Sequence, residues 1–167
     1  DVTGRVVAFF ETMVDGKIVR SPDNHSISLP SQPGPVSFEL KRSRGFEGMA
    51  ASVDGRYLYP LFEGPLWDAA KQEWEAIDGR QFLRIIEFDI EAQKFTGRQW
   101  KYILETNGNN IGDFNMISAT RGLVIERDNG EGDPRLGCPD APRSDCFNKP
   151  ARLKRVYLID FEAMQNE

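Results

Sequence analysis

Five carboxylates and two arginines are placed in ways that suit chemistry at an opening rather than in a core. Glu47 sits between Gly45-Phe46 and Gly48, and Asp113 follows Gly112; glycine lets a ligand or a second backbone approach closely. Glu63 and Glu126 end the runs Leu58 to Glu63 and Leu123 to Glu126, the latter followed by Arg127, Asp128 and Asn129. Carboxylates brought to one mouth repel each other unless protons or cations intervene, so a converging set calls for Ca²⁺, Mg²⁺ or a basic partner. With Glu47, Glu63, Asp113, Glu126 and Asp128 as ligands, such a cation would polarise a phosphoryl or carbonyl oxygen and activate a water, with Glu47 and Asp113 as the catalytic pair. Arg44 and Arg127 suit the other end of the substrate, since a guanidinium grips an anion in a fork that lysine cannot match. The bland roles stand beside these: Glu63 and Glu126 as strand-end charges, with Arg127 paired to one of them.

Other signals are weaker or absent. Asp128-Asn129-Gly130-Glu131-Gly132-Asp133 is oxygen-rich and carries glycines, but it lacks the full calcium-loop pattern and its bidentate glutamate. Asn107, Gly108, Asn109 and Asn110 read as turn residues. There is no Gly-x-Ser-x-Gly elbow and His25 is the single histidine, so a Ser/His/Asp triad is poorly supported. No phosphate-cradling Lys-Ser or Lys-Thr loop and no dinucleotide fingerprint occurs. The 21 Lys+Arg against 26 Asp+Glu give a net charge of -5, which offers nucleic acid no general attraction. No apolar run approaches the roughly 18 residues of a membrane span.

The elements that must position these residues are strands. Short aromatic and β-branched runs alternate with turn signals in 167 residues, a length for one domain. Arg5 to Phe10 leads to the Asp15-Gly16 turn, Tyr57 to Phe62 follows Asp54-Gly55, and Phe82 to Asp89 and Trp100 to Leu104 complete a group. Leu66 to Asp78 fits a helical turn or two, or a polar excursion between strands. Met49 to Ser52 is echoed by Met116 to Ala119, and Arg84 to Asp89 by Arg155 to Asp160, which sets a unit of about 65 to 70 residues holding four strands. Four strands per unit is the mark of a β-propeller blade. The expected fold is therefore an all-β, incomplete propeller portion of about two and a half blades: the end of one at 5–30, a complete one at 45–105 and most of the next at 111–161. In that frame Glu47 opens the inner strand of the complete blade and Asp113 takes the corresponding place in the next. A small β-sandwich or curved meander is the alternative. The remaining blades of a longer chain are expected partners, because open sheet edges invite pairing.

Cys138 and Cys146 flank a proline-rich polar stretch. Two cysteines in one loop suit a local disulfide and an oxidising compartment, periplasmic or secreted. Two free thiols in a reducing cytosol are the competing reading, and a zinc site is weak with only His25 to add.

The run Arg44 to Leu66 (RGFEGMAASVDGRYLYPLFEGPL) resembles the bacterial phytase-like proteins described as "esterase-like activity of phytase". So do Leu83 to Asp89, Ile111 to Phe114 with Leu123 to Asn129, and Lys154 to Asp160. The resemblance covers roughly residues 40 to 161. It implies a larger secreted or periplasmic propeller that hydrolyses phosphate esters or related esters, with a small anionic or ester substrate and phytate as the named example. A non-catalytic propeller that binds a ligand or protein at the same mouth, with calcium tying its blades together, is the second reading.

Overall fold

The computed structural model describes residues 8–34, 36–138 and 144–164. Twelve strands and one 3-10 turn make up its regular structure: β1 (Met13–Val14), β2 (Lys17–Ile18), β3 (Phe46–Ala51), β4 (Tyr57–Phe62), β5 (Trp67–Asp68), β6 (Glu73–Trp74), β7 (Ala76–Ile77), β8 (Arg80–Asp89), β9 (Lys94–Ile103), β10 (Asn110–Met116), β11 (Arg121–Arg127) and β12 (Lys154–Asp160), with the turn at Pro134–Leu136. The fold is all-β. No helix among the described residues is long and apolar enough to cross a membrane.

Two antiparallel sheets carry the architecture. In the first, β3, β4 and β8 are consecutive neighbours, β9 pairs with β8, and β7 adds a short hairpin at the start of β8. In the second the order is β10-β11-β12. The first three strands of each sheet thus follow one meander. The ladder between β4 and β8 pairs Leu58 with Phe88 and Leu61 with Ile85 but nothing between, where Pro60 supplies no N–H. The β1–β2 turn at Asp15-Gly16 and the β7–β8 turn at Asp78-Gly79 each put both residues at positive φ, the conformation a two-residue hairpin needs to follow the strand twist.

Apolar side chains from facing strands meet between the sheets. Tyr59, Leu61, Leu83, Ile85 and Trp100 of the first pack with Ile111, Phe114, Val124 and Ile159 of the second. Phe161, just past β12, stacks on Trp100 with ring centres 4.3 Å apart and meets Tyr59 edge-on at 5.2 Å. The opposite face of the first sheet is covered by a second cluster of Val14, Val19, Leu40, Phe62, Leu66 and Ile86. Covered on both faces, β8 is buried almost continuously from Phe82 to Asp89 rather than alternating, with the charged Arg84 and Glu87 taken inside among its apolar residues.

Several expectations change. Ala8 to Phe10 is not strand, and Arg5 to Val7 lies outside the described residues; the strands flanking Asp15-Gly16 are the two-residue β1 and β2. Phe10 instead packs edge-on against Phe88 at 5.1 Å, so its apolarity serves a side-chain contact and not a ladder. Leu66 to Asp78 forms the short strands β5, β6 and β7 and no helix. The last long strand of the first sheet is Lys94–Ile103, starting six residues before Trp100. The echo of β3 in β10 also shifts register. Each strand carries a bulge, between Phe46 and Gly48 and between Ile111 and Asp113, so the bulged residue is Glu47 in β3 and Gly112 in β10, and Asp113 is the residue after it. The described residues close no barrel or ring; they form two packed sheets with small flanking hairpins.

Candidate functional site

Where β4 and β11 end, the two sheets present a charged junction. The chain leaves β4 at Phe62, and the Glu63 N–H donates to Gly45 O at 2.7 Å, holding the next residues against the segment that leads into β3. At Gly64 a Cβ would lie 2.9 Å from Arg44 Cβ, so glycine there lets the Arg44 stem cross the strand end. Glu63 Oε1 receives Arg127 Nη2 at 3.3 Å and lies 3.7 Å from Arg44 Nη1. Arg127 also donates from Nη1 to Asn129 Oδ1 at 3.3 Å. Burial pushes the Glu63 carboxyl above its ordinary range; Arg44 and Arg127 pull it back, and the nearby Glu47 carboxylate pushes it further up. Arg44, from the segment ahead of β3, and Arg127, at the end of β11, share one carboxylate oxygen while both guanidinium side chains stay partly exposed, an arrangement an anion can approach.

Glu47 and Asp113 come from strands that touch. A Cβ on Gly48 would lie 2.8 Å from Phe114 Cβ and 2.9 Å from its nitrogen, so β3 and β10 approach at glycine distance beside both carboxylates. Glu47 is the bulged residue and is exposed. Asp113 is exposed as well; its Oδ1 accepts from Phe114 N and its Oδ2 from Asn115 Nδ2, both at 2.8 Å.

The other two carboxylates are engaged by the protein's own donors, Glu126 in the interior and Asp128 at a partly exposed loop. Glu126 is fully buried and accepts from Tyr102 OH at 2.7 Å, Asn109 Nδ2 at 2.7 Å and Glu105 N at 2.9 Å. Burial, and then the bond to Glu126, raises the Tyr102 phenol far above its ordinary value, so Tyr102 stays a neutral donor. Asp128 accepts from Arg152 N at 2.6 Å, Gly130 N and Leu153 N at 3.0 Å and Lys154 Nζ at 3.1 Å. Burial opposes ionisation there, and these donors outweigh it, holding the carboxyl at about 2. The oxygen-rich loop closes on itself in the same way, with Asp133 capping the 3-10 turn and pairing with Arg135. Among the described residues no three His, Cys, Asp or Glu side chains gather as a metal-binding group. Glu47, Glu63, Asp113, Glu126 and Asp128 therefore do not fit Ca²⁺ or Mg²⁺ as one shared ligand set.

A pocket of about 140 Å³ opens beside the junction, lined by Lys41, Arg44, Glu63, Trp74 and Asn110 among others. Asn109 and Asn110, read from sequence as turn residues, are 8% and 2% exposed. The signal that marks them is their position: Asn109 precedes and Asn110 opens β10, just ahead of the buried Ile111, and buried carboxamides need partners. Cys138 and Cys146 are disulfide-bonded; residues 139–143 of the loop between them lie outside the described residues.

The family model described as phytase-like, esterase-like activity of phytase, matches residues 1–167. No curated protein and no solved structure matches the chain.

Proposed function

The chain belongs to the phytase-like family, described as esterase-like activity of phytase, and from that premise we propose that it is a hydrolase of phosphate esters or related esters whose substrate docks at the junction of Arg44, Glu63 and Arg127. The observation that carries this reading is the sharing of Glu63 Oε1 by Arg44 and Arg127 with Glu47 close by. Two cations set around one carboxylate keep their forks in place without saturating them, and that arrangement suits an incoming phosphoryl or carboxyl ester oxygen.

In this reading Arg44 and Arg127 hold the anionic or developing negative oxygens of the reacting group. Glu47 takes a proton from water as the water oxygen bonds to phosphorus or to the carbonyl carbon. The ester bond breaks with its electron pair on the leaving oxygen, which receives the proton back from Glu47. Asp113, held by Phe114 N–H and Asn115, orients the water. We read the two sheets as neighbouring blades of a larger propeller in an oxidising compartment, periplasmic or secreted; the shared meander and the disulfide support that reading.

The test is release of phosphate or acid from a panel of phosphate and carboxylate esters, phytate included, by the unaltered chain and by Glu47→Gln and Asp113→Asn, with added Ca²⁺, with Mg²⁺ and after chelation. Turnover that falls about a hundredfold or more in Glu47→Gln, with the fold retained, supports the assignment. Parental rates in both variants remove these carboxylates from the chemistry. No release from folded protein under any condition favours the binding module instead.

A further inference from the structure

Arg127 is held at both ends of its fork. Nη2 donates to Glu63 Oε1 and Nη1 to Asn129 Oδ1, each at 3.3 Å. One bond would leave the guanidinium plane free to turn about its stem, whereas two bonds on different nitrogens fix it. Glu63 is set by the strand end it follows, but Asn129 is exposed and lies in the loop after β11. A side chain there aims nothing unless it is itself held.

The support comes from its neighbours. Arg127 Nη1 can only donate, so the Asn129 atom facing it is the oxygen, and Asn110 Nδ2 donates to that same oxygen at 2.6 Å. Asn110 is 2% exposed and is the register partner of Arg127 across β10 and β11. The Asn129 carboxamide is therefore anchored on a buried side chain placed by the same ladder that places Arg127. The loop backbone is tied down around it: Asp128 accepts from the N–H groups of Gly130, Arg152 and Leu153. At Gly130 a Cβ would lie 2.5 Å from Pro150 O, an approach that glycine alone allows. The run Asp128-Asn129-Gly130 thus presents one side-chain oxygen to Arg127 in a fixed place.

We propose that Asn129 is a positioning residue for anion binding: anchored by Asn110, its Oδ1 aims the Arg127 fork, and the loop between β11 and β12 acts on the ligand through that one bond. The proposal rests on the anion-docking part of the hydrolase reading and on none of its chemical steps.

The experiment is a double-mutant cycle on the affinity for inorganic sulfate, read by calorimetric titration of the full chain with the parent, Asn129→Ala, Arg127→Lys and the double variant. Urea midpoints check that each is folded; Asn129 is exposed, so its truncation leaves no cavity in the core. Asn129→Ala is expected to weaken sulfate binding about three- to tenfold. Lysine keeps a positive charge but has no plane to aim, so in the Arg127→Lys background the same truncation is expected to cost less than about twofold. Parental affinity in Asn129→Ala, an equal loss in the Arg127→Lys background, or no sulfate binding by the folded parent at millimolar concentration overturns the positioning role. Ester hydrolysis by a chain whose Asn129→Ala variant binds sulfate as the parent does leaves the hydrolase reading standing and this role fallen. A loss that depends on Arg127, in a chain that hydrolyses no ester, does the reverse.

Discussion

Arg127 reaches Glu63 at 3.3 Å although 64 positions separate them and they end strands of different sheets. The contact ties the charged junction to the packing of the sheets: Arg127 is in place because β11 lies in the second sheet, and Glu63 because β4 lies in the first. Its side chain stays 32% exposed, so the guanidinium sits at the surface with its stem held and part of its fork open. Such an ion pair contributes little to stability, about 1 kcal/mol or less, and its interest lies in what it pre-positions.

Arg127→Ala is accordingly expected to raise KM for an anionic ester about ten- to a hundredfold while leaving the midpoint of urea unfolding nearly unchanged. A neutral ester should lose much less. Arg127→Lys should recover only part of the loss, because an ammonium cannot serve Glu63, Asn129 and a substrate oxygen with one planar fork. Steady-state kinetics on one charged and one neutral ester separate these outcomes, and an equal loss on both would mean that Arg127 acts on the reacting group and not on substrate charge.

Glu63 makes anion binding depend on pH in a definite direction. Its carboxyl is raised above 4.5 by burial, so as pH falls the folded protein takes up this proton before an unfolded chain does. Protonation removes the negative charge shared by Arg44 and Arg127 and leaves their positive charge to a ligand. Affinity for sulfate, whose charge is constant through this range, should rise as pH drops from 7 through the Glu63 titration. Glu63→Gln should already bind more tightly at pH 7 and lose most of the slope. The same sign holds for stability: the penalty for ionising a buried carboxyl is present at neutral pH and relieved on acidification. Calorimetric titration with sulfate at several pH values checks both proteins, and a slope unchanged in Glu63→Gln would assign it to another group.

Legibility in the sequence tracks the range of the interactions involved. Tyr57 to Phe62 and Phe82 to Asp89 could be read as strands because aromatic and β-branched runs next to Asp54-Gly55 carry their own local signal. Ala8 to Phe10 carries the same local signal and is no strand: it pairs with no ladder, and its rings stay largely exposed with one edge contact each, to Phe88 and His25. Arg44, Glu63 and Arg127 were legible as charges at strand ends. The difference between Glu63 and Glu126 was not: both end a β-strand run and both are buried, yet one meets two partly exposed arginines at the sheet junction and the other a tyrosine and an asparagine in the interior. Tyr102 and Asn109 reach Glu126 across 24 and 17 positions, and no periodicity within β11 announces such partners.

Glu126 should therefore behave as a structural strut. Its carboxylate joins β9 and the β9–β10 connection to β11 through Tyr102, Asn109 and the Glu105 N–H, and of these the Tyr102 and Asn109 side chains are buried. Glu126→Ala is expected to destabilise the fold by about 3 kcal/mol or more, since it leaves several buried donors without an acceptor and opens a cavity. Glu126→Gln keeps an acceptor oxygen but turns an amide toward one of those donors, and should cost about 1 to 3 kcal/mol. Tyr102→Phe removes one donor and leaves the carboxylate its other two partners, so about 1 kcal/mol is expected, and the double change Tyr102→Phe with Glu126→Gln should fall short of the sum because the two sites share one bond. Urea unfolding of the parent, the two single variants and the double variant measures this coupling. A Glu126→Ala variant as stable as its parent would show that the carboxylate is free for another task, which would return it to the candidates for chemistry.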